Sequence, residues 1–236
     1  QEALELAEQH YNAERWPEVE TVCRQILESD PSQPAALNLL GVLAIRMGKH
    51  ALAVDLIGQA ITIHPNSAEA NYNLGAALQQ LGRLDEAAAS YRQAIAAKPD
   101  YFEAHFNLAL TYTTLGRFEE AANSYRQALI VRPDSIDAHN NLGIALQTLG
   151  RHEDAIASYG KALAINPNFP AAHNNLGLIH YQLGNIQEAI TKYQNALDIS
   201  SDYFDAYLNM GVALAVIGKL EEAVAAYRKA VGIKPD

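Results

Sequence analysis

The sequence predicts an all-α solenoid of seven helix hairpins, and three observations predict it. The stretch Asn140-Asn141-Leu142-Gly143 has close relatives at Tyr72-Asn73-Leu74-Gly75, Phe106-Asn107-Leu108-Ala109, Asn174-Asn175-Leu176-Gly177 and Leu208-Asn209-Met210-Gly211, spaced 34 residues apart without insertion. A fixed period of that size marks a repeat architecture. Within each period the apolar residues recur at helical spacing. No segment alternates as a strand would.

The units tile the chain as 1–33, 34–67, 68–101, 102–135, 136–169, 170–203 and 204–236, a single array without a linker. Counting Ala68 as position 1, the first helix of a unit (helix A) places small or apolar residues at 3, 4, 7, 8 and 11, as in Ala70, Leu74, Gly75 and Leu78. That is one face of a 3.6-residue period. Position 15 is Gly48, Gly82, Gly116, Gly150, Gly184 and Gly218, which suits a left-handed residue closing a helix. The second helix (helix B) carries Ala at 20 and 27 and, in repeats three to seven, a tyrosine at 24: Tyr91, Tyr125, Tyr159, Tyr193 and Tyr227. Pro at 32 (Pro31, Pro65, Pro99, Pro133, Pro167, Pro235) ends helix B, because the residue before proline is pushed out of the helical region. The small residues let backbones approach, and the tyrosine fills the space between them.

Leu-Gly, turn Gly, Ala, Tyr, Ala and Pro in phase resemble the tetratricopeptide repeat over all seven units. The resemblance implies antiparallel hairpins stacked into a right-handed superhelix, with helix A on the concave face and helix B on the convex one. Repeat one departs from the pattern at Ala7, Val19, Cys23 and Ile26 and reads as a capping-type unit. Repeat two has Ile57 at position 24. Repeat six has Ser201 in place of proline, so the step to repeat seven is expected to be looser. The last unit ends without a polar capping helix, and the chain opens on Gln1 rather than Met. Both features are expected of a piece of a longer protein, or of a chain that stacks on a neighbour through its uncapped end or convex face.

Composition narrows the function. A net charge of −10 and the absence of a Lys/Arg cluster argue against nucleic-acid binding through phosphate neutralisation. No apolar run is long enough to insert in a membrane. The lone Cys23 forms no internal disulfide, as expected for a reducing, cytoplasmic setting.

The repeated asparagine at position 6 carries the functional reading. Asn73, Asn107, Asn141, Asn175 and Asn209 form a ladder on the side of helix A away from helix B, and hairpin packing does not by itself call for an amide there. An amide offers donors and an acceptor that match a peptide backbone, so the ladder is expected to hold an extended segment. Position 5 (Tyr72, Phe106, Asn140, Asn174) and position 9 (Leu110, Ile144, Leu178) supply the remaining expected peptide contacts, turning from apolar to polar midway. Positions 12 and 13 are mostly Gln, Thr or apolar. No Lys or Arg occupies 5, 6, 9, 12 or 13 in repeats three to seven. The carboxylate clamp of tetratricopeptide co-chaperones needs those cations, so it is not expected here. Glu69, Glu103, Asp137 and Asp205 at position 2 suit the helix dipole.

Catalysis is not expected. His105, His139 and His173 repeat at position 4, but equivalent helices lie too far apart for a shared metal ion. The carboxylate pairs Asp85/Glu86, Glu119/Glu120, Glu153/Asp154 and Glu221/Glu222 recur in the first turn of helix B, where the dipole favours them. No catalytic residue, cofactor or metal is assigned. Finally, Gly-Arg-Leu-Asp-Glu-Ala-Ala (82–88), Ser-Tyr-Arg-Gln-Ala and the unbroken ladder resemble the N-terminal repeats of bacterial O-linked N-acetylglucosamine transferase-like proteins. That resemblance implies a substrate-recognition arm for a transferase domain lying beyond this chain. A free-standing scaffold or assembly factor and a self-associating module are the alternatives.

Overall fold

A computed structural model describes residues 2–234. These residues form α1 (Glu2–Asn12), α2 (Trp16–Ser29), α3 (Pro34–Arg46), α4 (His50–Ile63), α5 (Ala68–Gln80), α6 (Leu84–Ala97), α7 (Phe102–Thr114), α8 (Phe118–Val131), α9 (Ile136–Thr148), α10 (His152–Ile165), α11 (Pro170–Gln182), α12 (Ile186–Ile199), α13 (Phe204–Val216) and α14 (Leu220–Ile233). No strand occurs among the described residues. The chain divides into two compact units, one ending at Arg117 and the other beginning at Phe118.

Helix A begins at position 1 of repeats two to seven, and its start is written locally. Ser67 and Ser135 accept the amide N–H of Ala70 and Ala138 at 3.2 Å, an N-cap bond that meets one otherwise orphaned donor. Pro34 and Pro170 occupy the first turn, where the missing N–H costs nothing. The hairpin turn is closed by the position-15 glycines, all left-handed with φ between 70° and 79°. In repeat five the N–H of Gly150 reaches Gln147 O at 2.9 Å, and that of Arg151 reaches Leu146 O at 2.9 Å. Repeat one places Glu14 in the same slot, at φ 55°, a conformation that costs a side-chain-bearing residue about 1–2 kcal/mol.

In repeats three, five, six and seven, packing within the hairpin rests on a glycine beneath a tyrosine ring, and repeat four has Ala109 at that position. A Cβ built on Gly143 would lie 2.5 Å from the Tyr159 ring, and one on Gly177 would lie 2.4 Å from Tyr193. Tyr91, Tyr125, Tyr159 and Tyr193 are essentially fully buried, as are the flanking alanines at 20 and 27. Repeat two substitutes Ile57 against Gly41. Repeat one substitutes Cys23, buried among Ala7, Val19 and Ala36, and burial pushes its thiol up to about 11.

The turn between repeats six and seven keeps a hydrogen bond that the proline-containing turns make. Without proline, Tyr203 N–H still bonds Ser200 O at 3.2 Å, as Tyr101 N–H bonds Lys98 O in the proline-containing turn. Ser200 Oγ donates to Asp202 Oδ1 at 2.8 Å and braces the loop. The Pro235 position lies outside the described residues.

Candidate peptide-binding face

The ladder asparagines lie where the repeat period puts them, half-buried on helix A. Their amides also perform a task that the sequence did not signal. In the first unit Asn73 Nδ2 donates to Asn38 Oδ1 at 3.1 Å, and Asn107 Nδ2 donates to Tyr72 Oη at 3.0 Å. In the second unit Asn175 Nδ2 donates to Asn140 Oδ1 at 3.1 Å, and Asn209 Nδ2 to Asn174 Oδ1 at 3.0 Å. Each bond runs from position 6 to position 5 of the preceding repeat. It therefore ties neighbouring A helices together, with a net worth of about 0.5–1.5 kcal/mol. Asn141 Oδ1 accepts a long bond, 3.4 Å, from Asn140 Nδ2.

Position 5 is thus less open than its place in the sequence suggests. Asn140 and Asn174 are 7% and 4% exposed and serve as acceptors for the ladder. Tyr72 is half-buried, its ring 5.7 Å from that of Tyr91 and 5.1 Å from that of Tyr101. Burial raises its phenol above the ordinary range, against the opposing hydrogen bond from Asn107. Phe106 is half-buried and stacks on Phe102 at 5.7 Å. At position 9, Leu110 and Leu178 are half-buried and Ile144 is exposed. Leu208 and Val212 extend the exposed apolar surface on α13.

An amide carries two N–H groups and one carbonyl oxygen. A ladder residue that gives one N–H to the preceding repeat keeps its other N–H and its oxygen, and its orientation is fixed before any ligand arrives. That arrangement can meet the C=O and N–H of an extended chain. Position 12 contributes less than expected, because Gln79 and Gln147 accept the hydroxyls of Tyr91 and Tyr159 at 3.0 Å.

The repeated histidines are structural clamps. Nε2 of His105 and His139 lies 2.9 Å from the carbonyls of Pro99 and Pro133, and that of His173 lies 3.0 Å from Pro167 O. A carbonyl only accepts, so Nε2 carries the proton. Asn71 makes the same bond to Pro65 O in repeat three, at 2.9 Å. Burial holds His139 below its ordinary pKa. Among the described residues no group of three or more His, Cys, Asp or Glu could hold a metal ion.

The carboxylates at the start of helix B have partners besides the helix dipole. Arg83 pairs with Glu86 at 2.7 Å, Arg151 with Asp154 at 2.7 Å and Lys219 with Glu222 at 3.0 Å. Arg117 and Arg151 also reach back to Asp85 (3.7 Å) and Glu119 (3.4 Å) of the preceding repeats. No described helix is long and apolar enough to cross a membrane.

Comparison with known proteins decides the family. Tetratricopeptide-repeat profiles match residues 4–68, 40–102, 72–136 and 204–236, and a TPR-repeat profile matches 148–184 and 177–216. The chain belongs to the tetratricopeptide-repeat family. No curated protein matches it. Among solved structures, this tetratricopeptide-repeat chain is similar to MamA at 26% identity and a TM-score of 0.64, covering 69% of this chain and 95% of MamA. It is also similar to YrrB, described as a TPR protein with an unusual peptide-binding site, at 24% identity and a TM-score of 0.61, covering 76% of this chain and 93% of that one. The C-terminal part of a TPR repeat-containing protein from Cytophaga hutchinsonii shares 16% identity at a TM-score of 0.81, with 98% and 95% covered. The latter two establish the fold alone.

Proposed function

We propose that this tetratricopeptide-repeat chain is a protein-interaction module that holds an extended partner segment along the A helices. Asn73, Asn107, Asn141, Asn175 and Asn209 bind the segment's backbone, while Leu110, Ile144, Leu178 and Phe106 contact its side chains. That the seven hairpins act as one array is part of the proposal. One observation carries it. The amides of Asn73, Asn175 and Asn209 are half-buried and pre-oriented by one bond each, so they keep hydrogen-bonding capacity that the fold does not use. Pre-orientation favours binding because less side-chain freedom is lost on association. Backbone capture leaves the side-chain preference of the partner weak, as suits a module with several clients.

The test must separate binding from stability, since an alanine at Asn175 or Asn209 also removes an inter-repeat bond. A random peptide library is panned on the wild-type chain, and the affinity of selected peptides is measured for two variants. Asn141→Ala/Asn175→Ala/Asn209→Ala removes the ladder. Asn140→Leu/Asn174→Leu removes only its tether. The proposal predicts lost binding for the first and a smaller change for the second. Equal affinities for the wild type and the ladder variant would refute it. The finer setting, the substrate arm of an O-linked N-acetylglucosamine transferase-like enzyme, rests on the sequence resemblance, and a cytoplasmic location rests on the lone Cys23. Finding a nucleotide-sugar-binding domain encoded after residue 236 would support the transferase setting, and finding none there would count against it. An assembly factor would instead copurify with one stable partner.

A further inference from the structure

We infer that the cleft between α8 and α10 is a second docking site, made for an acidic amphipathic helix of a partner protein. It lies within the second unit, on the helix-B side, and so shares no ladder residue with the peptide-binding face. α9 packs against both α8 and α10 and forms its floor. The cleft has a volume of about 930 Å³ and an apolar lining that includes Leu129, Ile130, Leu142, Leu146 and Ile165. That volume is in the range of sites that enclose several side chains.

Two features set this cleft apart from the equivalent steps of the array. The first is Ile130, at position 29 and 71% exposed. The other repeats carry Glu28, Thr62, Ala96, Ala164, Asp198 and Gly232 there, all small or polar. A large aliphatic side chain left in water at the lip of an apolar cleft gains free energy when a partner covers it. The second is charge. Arg126 at position 25 lines the α8 wall, and Lys161 at position 26 of the next repeat lines the α10 wall. The corresponding pairs elsewhere are Arg24/Gln59, Gly58/Gln93, Arg92/Gln127, Gly160/Asn195 and Gln194/Lys229. Only the step from repeat four to five sets two cations across a cleft. Arg126 gives one N–H to the neutral Asn123 Oδ1, and neither Arg126 nor Lys161 has an ion-pair partner among the described residues. The third cation in the lining, Arg151, is already held by Asp154 and Glu119.

The chemistry of the occupant follows. In a chain of net charge −10, a cleft with two unpaired cations above an aliphatic floor selects a ligand that is apolar below and acidic at its flanks. A channel between two helices, floored by a third, accepts a helix that presents residues at i, i+3, i+4 and i+7. The occupant thus carries Leu, Ile or Phe at that spacing, with Asp or Glu beside them for Arg126 and Lys161. Complementary charge at such a rim chiefly sets specificity and the association rate, and its contribution falls with added salt.

The experiment uses a displayed library of helix-biased peptides of about 16 residues, long enough to hold a helix, panned on the whole chain. Selected peptides are measured by fluorescence anisotropy against wild type, Ile130→Asp, Arg126→Glu/Lys161→Glu and the ladder variant Asn141→Ala/Asn175→Ala/Asn209→Ala. The expected result is a class of acidic, amphipathic peptides that weakens by about tenfold or more with the cleft variants, as charge reversal at a rim predicts, and is indifferent to the ladder variant. A peptide with its Asp and Glu changed to Lys should regain binding to Arg126→Glu/Lys161→Glu and not to wild type. Phosphatidylserine vesicles are tested in parallel. The inference is overturned if no acidic amphipathic class is selected, if its binding follows the ladder and not the cleft, or if vesicles alone respond to the cleft variants. All the cleft substitutions are at partly or fully exposed positions, and far-UV circular dichroism checks that the helices persist.

Discussion

Repeat one and repeat five build the same hairpin with different means. In repeat five, Gly150 takes the left-handed turn, Tyr159 lies on Gly143 and bonds Gln147, and His139 clamps the carbonyl of Pro133. In repeat one, Glu14 is forced left-handed and Cys23 fills the tyrosine position with a single sulfur. The difference teaches that the hairpin geometry tolerates missing parts, whereas the stability of each hairpin does not follow from geometry alone. In an array whose units contact only their neighbours, such differences stay local.

The largest effect should come from the ring. Tyr159→Ala empties a fully buried aromatic site and is expected to cost about 3–5 kcal/mol, while Cys23→Ala removes one heavy atom and should cost roughly 1 kcal/mol. Chemical denaturation with hydrogen exchange resolved by residue measures both. Similar costs would show that repeat one is packed as firmly as repeat five.

The turn comes next and should reverse sign between the two repeats. Gly150→Ala at φ +73° is expected to destabilise by about 1 kcal/mol, and Glu14→Gly to stabilise by a similar amount. Thermal unfolding of the two variants should shift in opposite directions.

The clamp gives a smaller, pH-dependent effect. The folded chain holds His139 below its unfolded pKa, so the unfolded chain binds more protons in the window between the two values. Stability from His139 is therefore fully present above the unfolded value of about 6.5 and lost as pH falls below it. His139→Asn copies the bond that Asn71 already makes in repeat three and should remove part of this dependence while keeping stability near neutral pH. Unfolding curves for both proteins on either side of pH 6.5 test this, and parallel pH profiles would contradict the assignment.

The fold was legible because its determinants repeat at fixed register. The glycines at position 15, the alanines at 20 and 27 and the tyrosines at 24 each answer one local steric demand, and a period of 34 residues multiplies the signal. The candidate face was legible only in outline. The register placed Asn175 and Asn209 on helix A. It did not show that their amides bond Asn140 and Asn174 across 35 residues, since a partner in the preceding repeat is read from geometry and not from pattern. The adjacent pairs Asn140-Asn141 and Asn174-Asn175 were the available hint: one amide of each pair faces inward and the other outward. The histidine clamp was hidden for the same reason. His139 and Pro133 each had an ordinary explanation alone, and only the turn between them brings Nε2 to the carbonyl.

The most direct test of the ladder's double role follows the side-chain amide resonances of Asn141, Asn175 and Asn209 by nuclear magnetic resonance during titration with a selected peptide. If Asn175 and Asn209 hold the preceding repeat with one N–H and the partner's backbone with the rest, and Asn141 also binds that backbone, these resonances should shift early and in proportion to occupancy. Those of the buried Asn140 and Asn174 should move little. A peptide that binds while the ladder resonances stay fixed would contradict the account.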